Sequence, residues 1–291
     1  MQIETPATTP AAQSALDRVA IRLESLERDA NARALGVAVH DFETGATLNY
    51  HADRWFHAAS TVKVAILLGV YAAIHREQLV VNARLHVRNR FLSAWDAEPF
   101  RVESDRDANG AVHDAIGKTM RIGELAHHMI ATSSNLATNL LLDLVGIEAA
   151  RGALARLHVS GIDLQRGVED EVAWEAGINN RVTAAGLCNA LRLIEEGKVI
   201  SPEASKAMLD ILHQQRFRSG IPAGLPEDAR VAHKTGEIST VAHDAGIVYL
   251  DGRDAYVVVI LTEWGPDVNG RQETIARISR AVYEYMTGRP A

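Results

Sequence analysis

The first fifty residues alternate between helix-like and strand-like spacing of apolar positions. Residues 14–31 place their apolar side chains on one stripe, which predicts an amphipathic helix. The runs 34–40 and 46–50 are rich in β-forming residues and are separated by a short polar segment that ends at Gly45. This spacing predicts a β-hairpin. The stretch before residue 14, rich in proline, threonine and alanine, is interpreted as a disordered lead-in.

Strand-like patterns return only near the other end of the chain, at 230–234, 245–250 and 255–262. A helical pattern at 274–286 closes the chain, and a helix over 202–214 follows Ser201 as its cap. Strands at both ends with helices between them predict one antiparallel sheet that is assembled from the two termini and flanked by helices. The expected class is α/β (α+β).

The middle of the chain reads as an all-α region. Its predicted helices are 122–131, 135–145, 147–157 and 183–196. A gap between the predicted helices, interrupted by glycines, lies at 159–180. The irregular charged stretch 86–118 predicts a long loop or insertion. Loops of this length are usually either functional or disordered. We expect two domains, a discontinuous α/β domain of residues 1–62 and 200–291 and an all-α domain of residues 63–199.

The helix predicted after His57 carries an unusual polar pair at its start. From Val64 onward it is apolar almost all round, which is typical of a helix buried on most faces. Lys63 in its first turn should therefore be dehydrated. Ser60 and Lys63 are three positions apart, so their side chains share one face of the helix. The spacing predicts a reactive pair.

Composition narrows the class of partner. The net charge is −7 with a pI near 5.9, and the absence of a basic cluster argues against nucleic-acid binding. No apolar run approaches the roughly 20 residues that a membrane-spanning helix needs. We expect a small-molecule partner, no metal, no cofactor and a monomeric protein. Metal binding has no motif to support it, since H-E-x-x-H is missing despite 12 histidines.

Cellular location is left open by the sequence. The start, MQIETPATTPAAQ, has no basic or apolar signal region, so the protein is either intracellular or has lost a signal peptide. The single cysteine, Cys188, lies in a helical pattern, cannot form an intramolecular disulfide and is interpreted as a buried structural thiol.

Three short motifs occur in order along the chain: Ser60-x-x-Lys63, Ser133-Ser134-Asn135 and Lys234-Thr235-Gly236. Each is weak alone. Together they resemble the signature S-x-x-K, S-D-N and K-T-G of class A β-lactamases and penicillin-binding proteins, and the resemblance covers nearly the whole chain. Glu169 lies about where class A β-lactamases carry the glutamate of deacylation, which favours a β-lactamase over a transpeptidase.

The chemistry of a serine hydrolase explains the residue types of the first motif. The Ser60 hydroxyl needs a base, and Lys63 can be that base only when neutral, which burial and the second cation Lys234 would favour by lowering its pKa. By resemblance, Glu169 acting through a water is the competing base for acylation and the base for deacylation. The same resemblance implies that Ser133 relays a proton to the leaving nitrogen.

The resemblance also implies a set of substrate-binding residues. Asn135 would hold the side-chain amide of the substrate, while Lys234 and Thr235 would bind its carboxylate. Gly236 would let the strand approach the ligand closely. The backbone N–H of Glu237 would be the second oxyanion donor beside that of Ser60.

Several positions depart from the family pattern. Ser134 replaces the usual aspartate of the second motif, and His233 stands where an aspartate is common before the lysine. Asp170 replaces a proline, and Ala173 stands where a water-holding asparagine is expected, which puts deacylation in question. No arginine follows Glu237 on the strand, and the candidates to complete the carboxylate site or the pocket rim are Arg218, Arg230, Trp95 and Phe100.

The sequence therefore predicts the β-lactamase/transpeptidase-like fold and a serine β-lactamase-like hydrolase that works through an acyl-Ser60 intermediate. Two alternatives stay open. One is another acyl-transfer enzyme of the same fold, a D-alanyl-D-alanine carboxypeptidase, an esterase or a glutaminase. The other is a β-lactam-binding or sensing protein that is acylated without turnover.

Overall fold

The computed structural model describes residues 10–108, 110–266 and 268–289. Within these ranges the strands are β1 Ala34–Asp41, β2 Thr47–Tyr50, β3 Phe56–His57, β4 Arg84–His86, β5 Phe91–Leu92, β6 Pro99–Phe100, β7 Thr119–Arg121, β8 Ile162–Asp163, β9 Arg181–Val182, β10 Arg230–Ile238, β11 Val241–Tyr249 and β12 Tyr256–Glu263. The helices are α1 Pro10–Asp29, α2 Lys63–His75, α3 Ile122–Ala131, α4 Asn135–Val145, α5 Ile147–Arg156, α6 Glu171–Glu175, α7 Ala184–Glu195, α8 Pro202–Leu212 and α9 Arg271–Thr287. Most of the lead-in expected to be disordered, residues 1–9, lies outside the described part.

The main sheet joins the two ends of the chain, as the sequence predicts. Its strand order is β10-β11-β12-β1-β2, and every neighbouring pair is antiparallel. The β1–β2 hairpin pairs Val37 with Tyr50, and β1 pairs along its other edge with β12. Strand β10 has one edge free of this sheet, and the third motif lies on that strand.

The alternation of side chains along each strand separates two hydrophobic cores. On β1, Leu35, Val37 and Val39 pack into a core that also contains residues of α1 and α9. Ala34 and Ala38 point to the opposite face and join the larger core, which contains α2, α3, α4, α7 and α8. The sheet is therefore covered by helices on both faces, and the candidate site lies toward the larger core.

Helix α2 is central to the larger core because it is apolar on all sides. Every residue from Lys63 to Ala73 is buried, and each fully buried Leu, Val or Ile contributes about 1.5–3 kcal/mol. Gly69 lets α5 approach closely, since a Cβ built at this position would lie 2.9 Å from the Cβ of Ala150. The start of α2 is consequently fixed by packing around the whole helix.

The stretch 86–118 is an ordered insertion that contains or adjoins two short strand pairs. Strand β4 pairs with β7 at its base, and β5 pairs with β6 nearer its tip. Val87, Val102 and Val112 are buried in the larger core. The insertion is thus held in place on the helical part of the fold, with Asn109 outside the described residues.

Two strand boundaries differ from the sequence prediction. Strand β10 continues through the third motif to Ile238, and β11 begins at Val241. The prediction that β10 ends at Lys234 was wrong because Gly236 and Glu237 have weak strand propensity, and their ladder with His243 and Ala242 overrides it. None of the helices in the described ranges is both long and apolar enough to span a bilayer.

Candidate active site

Ser60 lies in a turn of 3₁₀-helix, Ala59–Val62, that runs directly into α2. Side chains three residues apart are eclipsed in such a turn, so Ser60 and Lys63 face the same side, as the spacing predicts. Ala59 has a positive φ of 44°, and its N–H donates to Nδ1 of His57 at 3.1 Å. Local hydrogen bonds therefore support the strained entry to the turn.

His57 is a neutral support for this turn. Burial lowers the pKa of His57 to about 4, and the positive charge of the nearby Arg166 contributes a smaller part of this decrease. Its carbonyl in turn lies 2.8 Å from Nε2 of His243, whose pKa burial also lowers to about 4. Two uncharged imidazoles thus hold the segment before Ser60 at neutral pH.

The ammonium group of Lys63 is completely buried. Its Nζ lies 2.6 Å from the Ser133 carbonyl, 2.7 Å from Oδ1 of Asn135 and 3.2 Å from Oγ of Ser133. These bonds join the first motif to the second. Among the described residues, none of the hydrogen bonds of Nζ goes to Ser60.

The two buried lysines differ in electrostatic surroundings. Burial lowers the pKa of Lys63 to about 7. The negative charges of Asp107 and, to a smaller extent, Glu169 act in the opposite direction and raise this pKa. Burial also lowers the pKa of Lys234 well below its ordinary value, and the neighbouring Lys63 lowers it further. Lys63 is therefore a group that can exchange a proton near neutral pH.

The hydroxyl of Ser133 lies between these lysines. Its Oγ is 3.2 Å from Nζ of Lys63 and 3.1 Å from Nζ of Lys234. Lys234 also donates to the carbonyl of Thr235 at 2.8 Å. The backbone of Ser133 has a positive φ of 56°, a conformation that a non-glycine residue keeps only when its surroundings impose it. All three motifs consequently meet at one hydroxyl group.

Glu169 lies on the other side of Asn135. Its Oε1 accepts from Nδ2 of Asn135 at 2.5 Å, and its Oε2 accepts from the N–H of Glu103 at 3.2 Å. Since Oδ1 of the same amide accepts from Lys63, Asn135 links the lysine to the glutamate. Glu169 is thus placed within the cluster, in contact with the second motif and the insertion.

The loop that carries Glu169 is held from two directions. The side-chain amide of Asn139 on α4 bonds both the N–H and the carbonyl of Val168, at 2.8 and 2.9 Å. On the far side, the buried guanidinium of Arg166 donates to the carbonyls of Ile178 and Gly167. Glu169 itself has a positive φ of 59°. The loop is therefore rigidly seated against α4.

Two departures from the family pattern lie in this loop. Asp170 caps α6 by accepting from the N–H of Ala173 at 3.2 Å, and it also accepts from the N–H of Ala94 in the insertion at 2.7 Å. Ala173 is fully buried and offers no amide to a water. The residues after Glu169 thus tie the loop to the insertion.

The third motif approaches the first along β10. A Cβ built on Gly236 would lie 3.1 Å from the backbone N of Ser60 and 3.0 Å from that of Thr61. A side chain at 236 would therefore push the strand and the turn apart. The Glu237 carboxylate accepts from Arg271 at 2.9 Å and from Gln272 at 2.7 Å. Both partners lie in the first turn of α9, so this side chain is bonded to that helix.

The arginines suggested for a carboxylate site differ in position. Arg230 lies at the start of β10 with its guanidinium over the Tyr249 ring, 5.4 Å from the ring centre, four residues before Lys234. It is not beside the third motif. Arg218 is exposed between α8 and the short turn at Ile221–Gly224, and its role stays a prediction.

His233 is engaged in a buried contact with an acid on the neighbouring strand. Its Nδ1 lies 2.8 Å from Oδ1 of Asp244 on β11, and Oδ2 of that aspartate accepts from the N–H of Ile221 at 2.8 Å. Asp244 is paired with Thr235 across the sheet. The substitution of His233 for an aspartate is thus matched by an acid on the neighbouring strand.

The two aromatic residues suggested at the pocket rim also differ. Phe100 packs on Phe91 within the insertion, with ring centres 5.9 Å apart. Trp95 is 62% exposed and follows Ala94, which is bonded to Asp170 beside Glu169. Trp95 remains a candidate for substrate contact.

Sequence reasoning missed Asp107, a buried acid in the insertion. Its carboxylate accepts from Oγ of Ser134 at 2.9 Å and from the backbone N–H groups of Asn135 and Leu136 at 3.1 and 3.0 Å. Asp107 lies 27 residues before Ser134 in an irregular stretch, so no periodicity connects them. The one available signal was the missing aspartate of the second motif.

Similarity to known proteins agrees with this geometry. A family model described as "Beta-lactamase enzyme family" matches residues 18–286. The chain belongs to the β-lactamase enzyme family. A β-lactamase of Streptomyces fradiae is 30% identical, over 93% of this chain and 87% of that protein.

Solved structures of β-lactamases have the same fold. An ancestral class A β-lactamase is 26% identical with a TM-score of 0.79, over 91% of this chain and 99% of that one. PBP-A superimposes with a TM-score of 0.80 over 94% of this chain and 97% of its own, and at 24% identity it shows the fold alone. The described residues contain no cluster of three or more His, Cys, Asp or Glu side chains that could hold a metal ion.

Proposed function

We propose that this member of the β-lactamase family is a serine β-lactamase, which opens the β-lactam amide through an acyl-Ser60 intermediate. The observation that carries the proposal is the position of the Ser133 hydroxyl, 3.2 Å from Nζ of Lys63 and 3.1 Å from Nζ of Lys234. A serine nucleophile, a lysine that can be neutral and a hydroxyl relay are what acyl transfer to a serine requires.

Acylation begins with the removal of the Ser60 proton. Neutral Lys63 takes this proton while Oγ of Ser60 attacks the carbonyl carbon of the β-lactam, and the backbone N–H groups of Ser60 and Glu237 stabilise the oxyanion. The C–N bond then breaks. Ser133 donates its proton to the leaving nitrogen and receives one from Lys63, which returns the lysine to its neutral state. Glu169 acting through a water is the competing base for the first step.

Substrate binding falls to the residues around this relay. Lys234 and Thr235 bind the carboxylate of the substrate, and its negative charge favours the protonated form of the buried lysine. Asn135 holds the side-chain amide, and Gly236 lets β10 come close to the ligand. The proposal needs neither a metal nor a cofactor.

Deacylation is assigned to Glu169. Its carboxylate takes a proton from a water whose oxygen attacks the acyl-Ser60 ester, and Oγ of Ser60 leaves with a proton. The assignment is supported by the contact between Glu169 and Asn135 at 2.5 Å, since the same Asn135 side chain accepts from Lys63. The Glu169 carboxylate is bonded to Asn135 and to the N–H of Glu103, and Ala173 supplies no amide to hold the attacking water.

A second candidate function follows from these surroundings of Glu169. The buried Ala173 favours a protein that is acylated by β-lactams and released slowly, as in a binding or sensing role. A D-alanyl-D-alanine carboxypeptidase, an esterase or a glutaminase would use the same acylation residues. Such an enzyme differs from the β-lactamase and from the binding or sensing protein in the substrate that it accepts. Monomeric state, export and the division into two domains remain predictions.

A chromogenic cephalosporin assay at known enzyme concentration tests the proposal. We expect many turnovers per active site, and none for Ser60→Ala. A burst equal to one turnover followed by a halt would support the slow-release alternative. No reaction with cephalosporins or penicillins would contradict both and direct the search to esters and peptide amides.

A further inference from the structure

The insertion at 86–118 reaches the catalytic cluster through one buried acid. The carboxylate of Asp107 is completely removed from solvent and accepts from Oγ of Ser134 and from the N–H groups of Asn135 and Leu136. Nε2 of His113 lies 3.3 Å from its Oδ2. The three hydrogen bonds from Ser134, Asn135 and Leu136 are what stabilise a buried carboxylate.

We propose that Asp107 is a positioning residue for acylation: its carboxylate substitutes for the aspartate that the second motif lacks and fixes the start of α4 so that Ser133 and Asn135 grip Lys63. The proposal goes beyond the proposed function, in that no family motif contains this residue, but it rests on Ser60 and Lys63 acting as that function requires.

The contacts of α4 show how the effect is transmitted. The first N–H groups of a helix have no partners within the helix. Here those of Asn135 and Leu136 bond to Asp107, and that of Ala137 bonds to Oγ of Ser134, which itself donates to Asp107. One carboxylate therefore organises the entire first turn directly and through Ser134.

That first turn presents the groups that hold Lys63. Nζ of Lys63 lies 2.6 Å from the carbonyl oxygen of Ser133 and 2.7 Å from Oδ1 of Asn135. The backbone of Ser133 has a positive φ of 56°. The Asn135 residue thus bonds Asp107 through its backbone N–H and Lys63 through its side chain. A shift of the turn would move both acceptors and the Ser133 hydroxyl together.

Asp107 supplies from the insertion the acid that position 134 lacks. The family pattern has an aspartate in the middle of the second motif, where this chain has Ser134. Here Oγ of Ser134 accepts from the N–H of Ala137 and donates to Asp107 at 2.9 Å. The carboxylate at the start of α4 is thus provided by a different segment of the chain.

A charge effect accompanies the positioning. Asp107 is the carboxylate that most strongly favours the charged form of Lys63, ahead of Glu169, while burial opposes it. The charged groups that face Lys63 are Asp107, Glu169 and Lys234. Removing the charge of Asp107 should therefore lower the pKa of Lys63. A turn that merely loosened and admitted water would instead raise that pKa toward its ordinary value.

This difference in sign defines the experiment. Asp107→Asn is compared with Asp105→Asn, an exposed acid two positions away. The readouts are the rate of acylation by a penicillin as a function of pH and the pKa of Lys63 from the NMR titration of its ε-carbon. For Asp107→Asn we expect acylation to fall by about ten- to a hundredfold and the pKa of Lys63 to decrease. Asp105→Asn should leave both unchanged.

A double variant tests whether the acid can act from its usual position in the second motif. Asp107→Ser combined with Ser134→Asp returns the acid to that position, and we expect it to recover most of the acylation rate that Asp107→Asn loses. A double variant that is folded by circular dichroism but acylates no faster than Asp107→Asn would overturn the claim that Asp107 substitutes for the missing aspartate.

The outcomes separate the two proposals. A wild-type protein that no β-lactam acylates would contradict the proposed function, and the NMR titration would still test Asp107. A wild-type protein that is acylated, together with an Asp107→Asn variant of unchanged rate or of unchanged or raised Lys63 pKa, would overturn the role of Asp107 alone.

Discussion

The two sides of the catalytic cluster follow different rules. On the acylation side, Lys63, Ser133 and Lys234 have the residue types that the family motifs require, and the Ser133 hydroxyl lies 3.2 and 3.1 Å from the two lysines. On the deacylation side, Glu169 is present, but Asp170 and Ala173 beside it depart from the family pattern. We therefore expect substitutions on the two sides to affect different steps of the proposed reaction.

The surroundings of Glu169 explain why that side is less regular. Its loop is fastened to α4 by Asn139 and to the insertion by Asp170 and by Glu103. Ala173 is fully buried and has no side-chain amide. The loop is therefore held by residues other than the one at 173.

The substitution with the largest expected effect removes the proposed nucleophile, Ser60, which both acylation and deacylation need. Ser60→Ala should abolish covalent acylation and reduce turnover by on the order of 10⁴-fold or more, because the proposed ester forms on Oγ of Ser60. Turnover is measured with a chromogenic cephalosporin, and circular dichroism checks that the variant is folded. Unimpaired turnover in a folded Ser60→Ala protein would place the nucleophile elsewhere.

The next variant acts on the deacylation side alone. Glu169→Gln should slow release of the acyl group by about 10²–10⁴-fold, since the amide cannot accept the proton of the attacking water. Acylation by Lys63 should remain detectable, so the adduct should accumulate. Stopped-flow mixing followed by mass analysis resolves the two steps.

Glu171→Gln is the matched control for that variant. Its carboxylate forms an exposed ion pair with Arg106, and such pairs contribute little to stability. We expect normal deacylation in this control. If Glu169→Gln also deacylates normally, the glutamate is a structural residue of the loop and the slow-release alternative gains support.

A backbone variant perturbs the acylation side without removing a functional group. Gly236→Ala places a Cβ 3.0–3.1 Å from the backbone nitrogens of Thr61 and Ser60, so β10 or the turn must shift. We expect kcat/KM for a cephalosporin to fall by roughly ten- to a hundredfold, because the oxyanion donors lose their alignment. Gly110→Ala, at a site with no atom within 4 Å, is the control and should show no change. Equal kinetics for both variants would argue against a tight site at Gly236.

The smallest expected effect concerns pH and distinguishes the two bases proposed for acylation. The pKa of Lys63 is lowered to about 7 by burial, so its neutral fraction increases as pH rises through neutrality. Acylation should accelerate by about tenfold between pH 6 and pH 8 if Lys63 is the base. Single-turnover measurements over this range test it.

Lys63→Arg sharpens that test because a guanidinium keeps the positive charge but does not release its proton. We expect this variant to lose the pH-dependent rise together with most of its activity. A wild-type rate that is flat from pH 6 to pH 8 would instead favour Glu169, acting through a water, as the base of the first step.

Much of the fold was predictable because its signals are local. The strands of β1 and β2, the helices of the middle region and the cap of α8 by Ser201, whose Oγ accepts from the N–H of Ala204, follow from periodicity and short-range hydrogen bonding. The placement of Ser60 and Lys63 on one face needs only a helical spacing. These features are written within a few consecutive residues.

The remaining features depend on contacts between distant segments. The extension of β10 past Gly236 is set by its ladder with β11, and the order of the insertion is set by buried residues such as Val87 and Val102. Asp107 acquires its significance only through residues 27–29 positions later in the chain. A sequence pattern has no period that records such pairings, so they required the structure.

Intact-mass spectrometry over time with a penicillin, followed by proteolytic mapping of the modified peptide, tests the central claim most directly. The account predicts a transient adduct of one intact penicillin on the peptide that contains Ser60, with hydrolysed penicillin formed in large excess over enzyme. The absence of any adduct together with no hydrolysis, or an adduct on a residue other than Ser60, would contradict it.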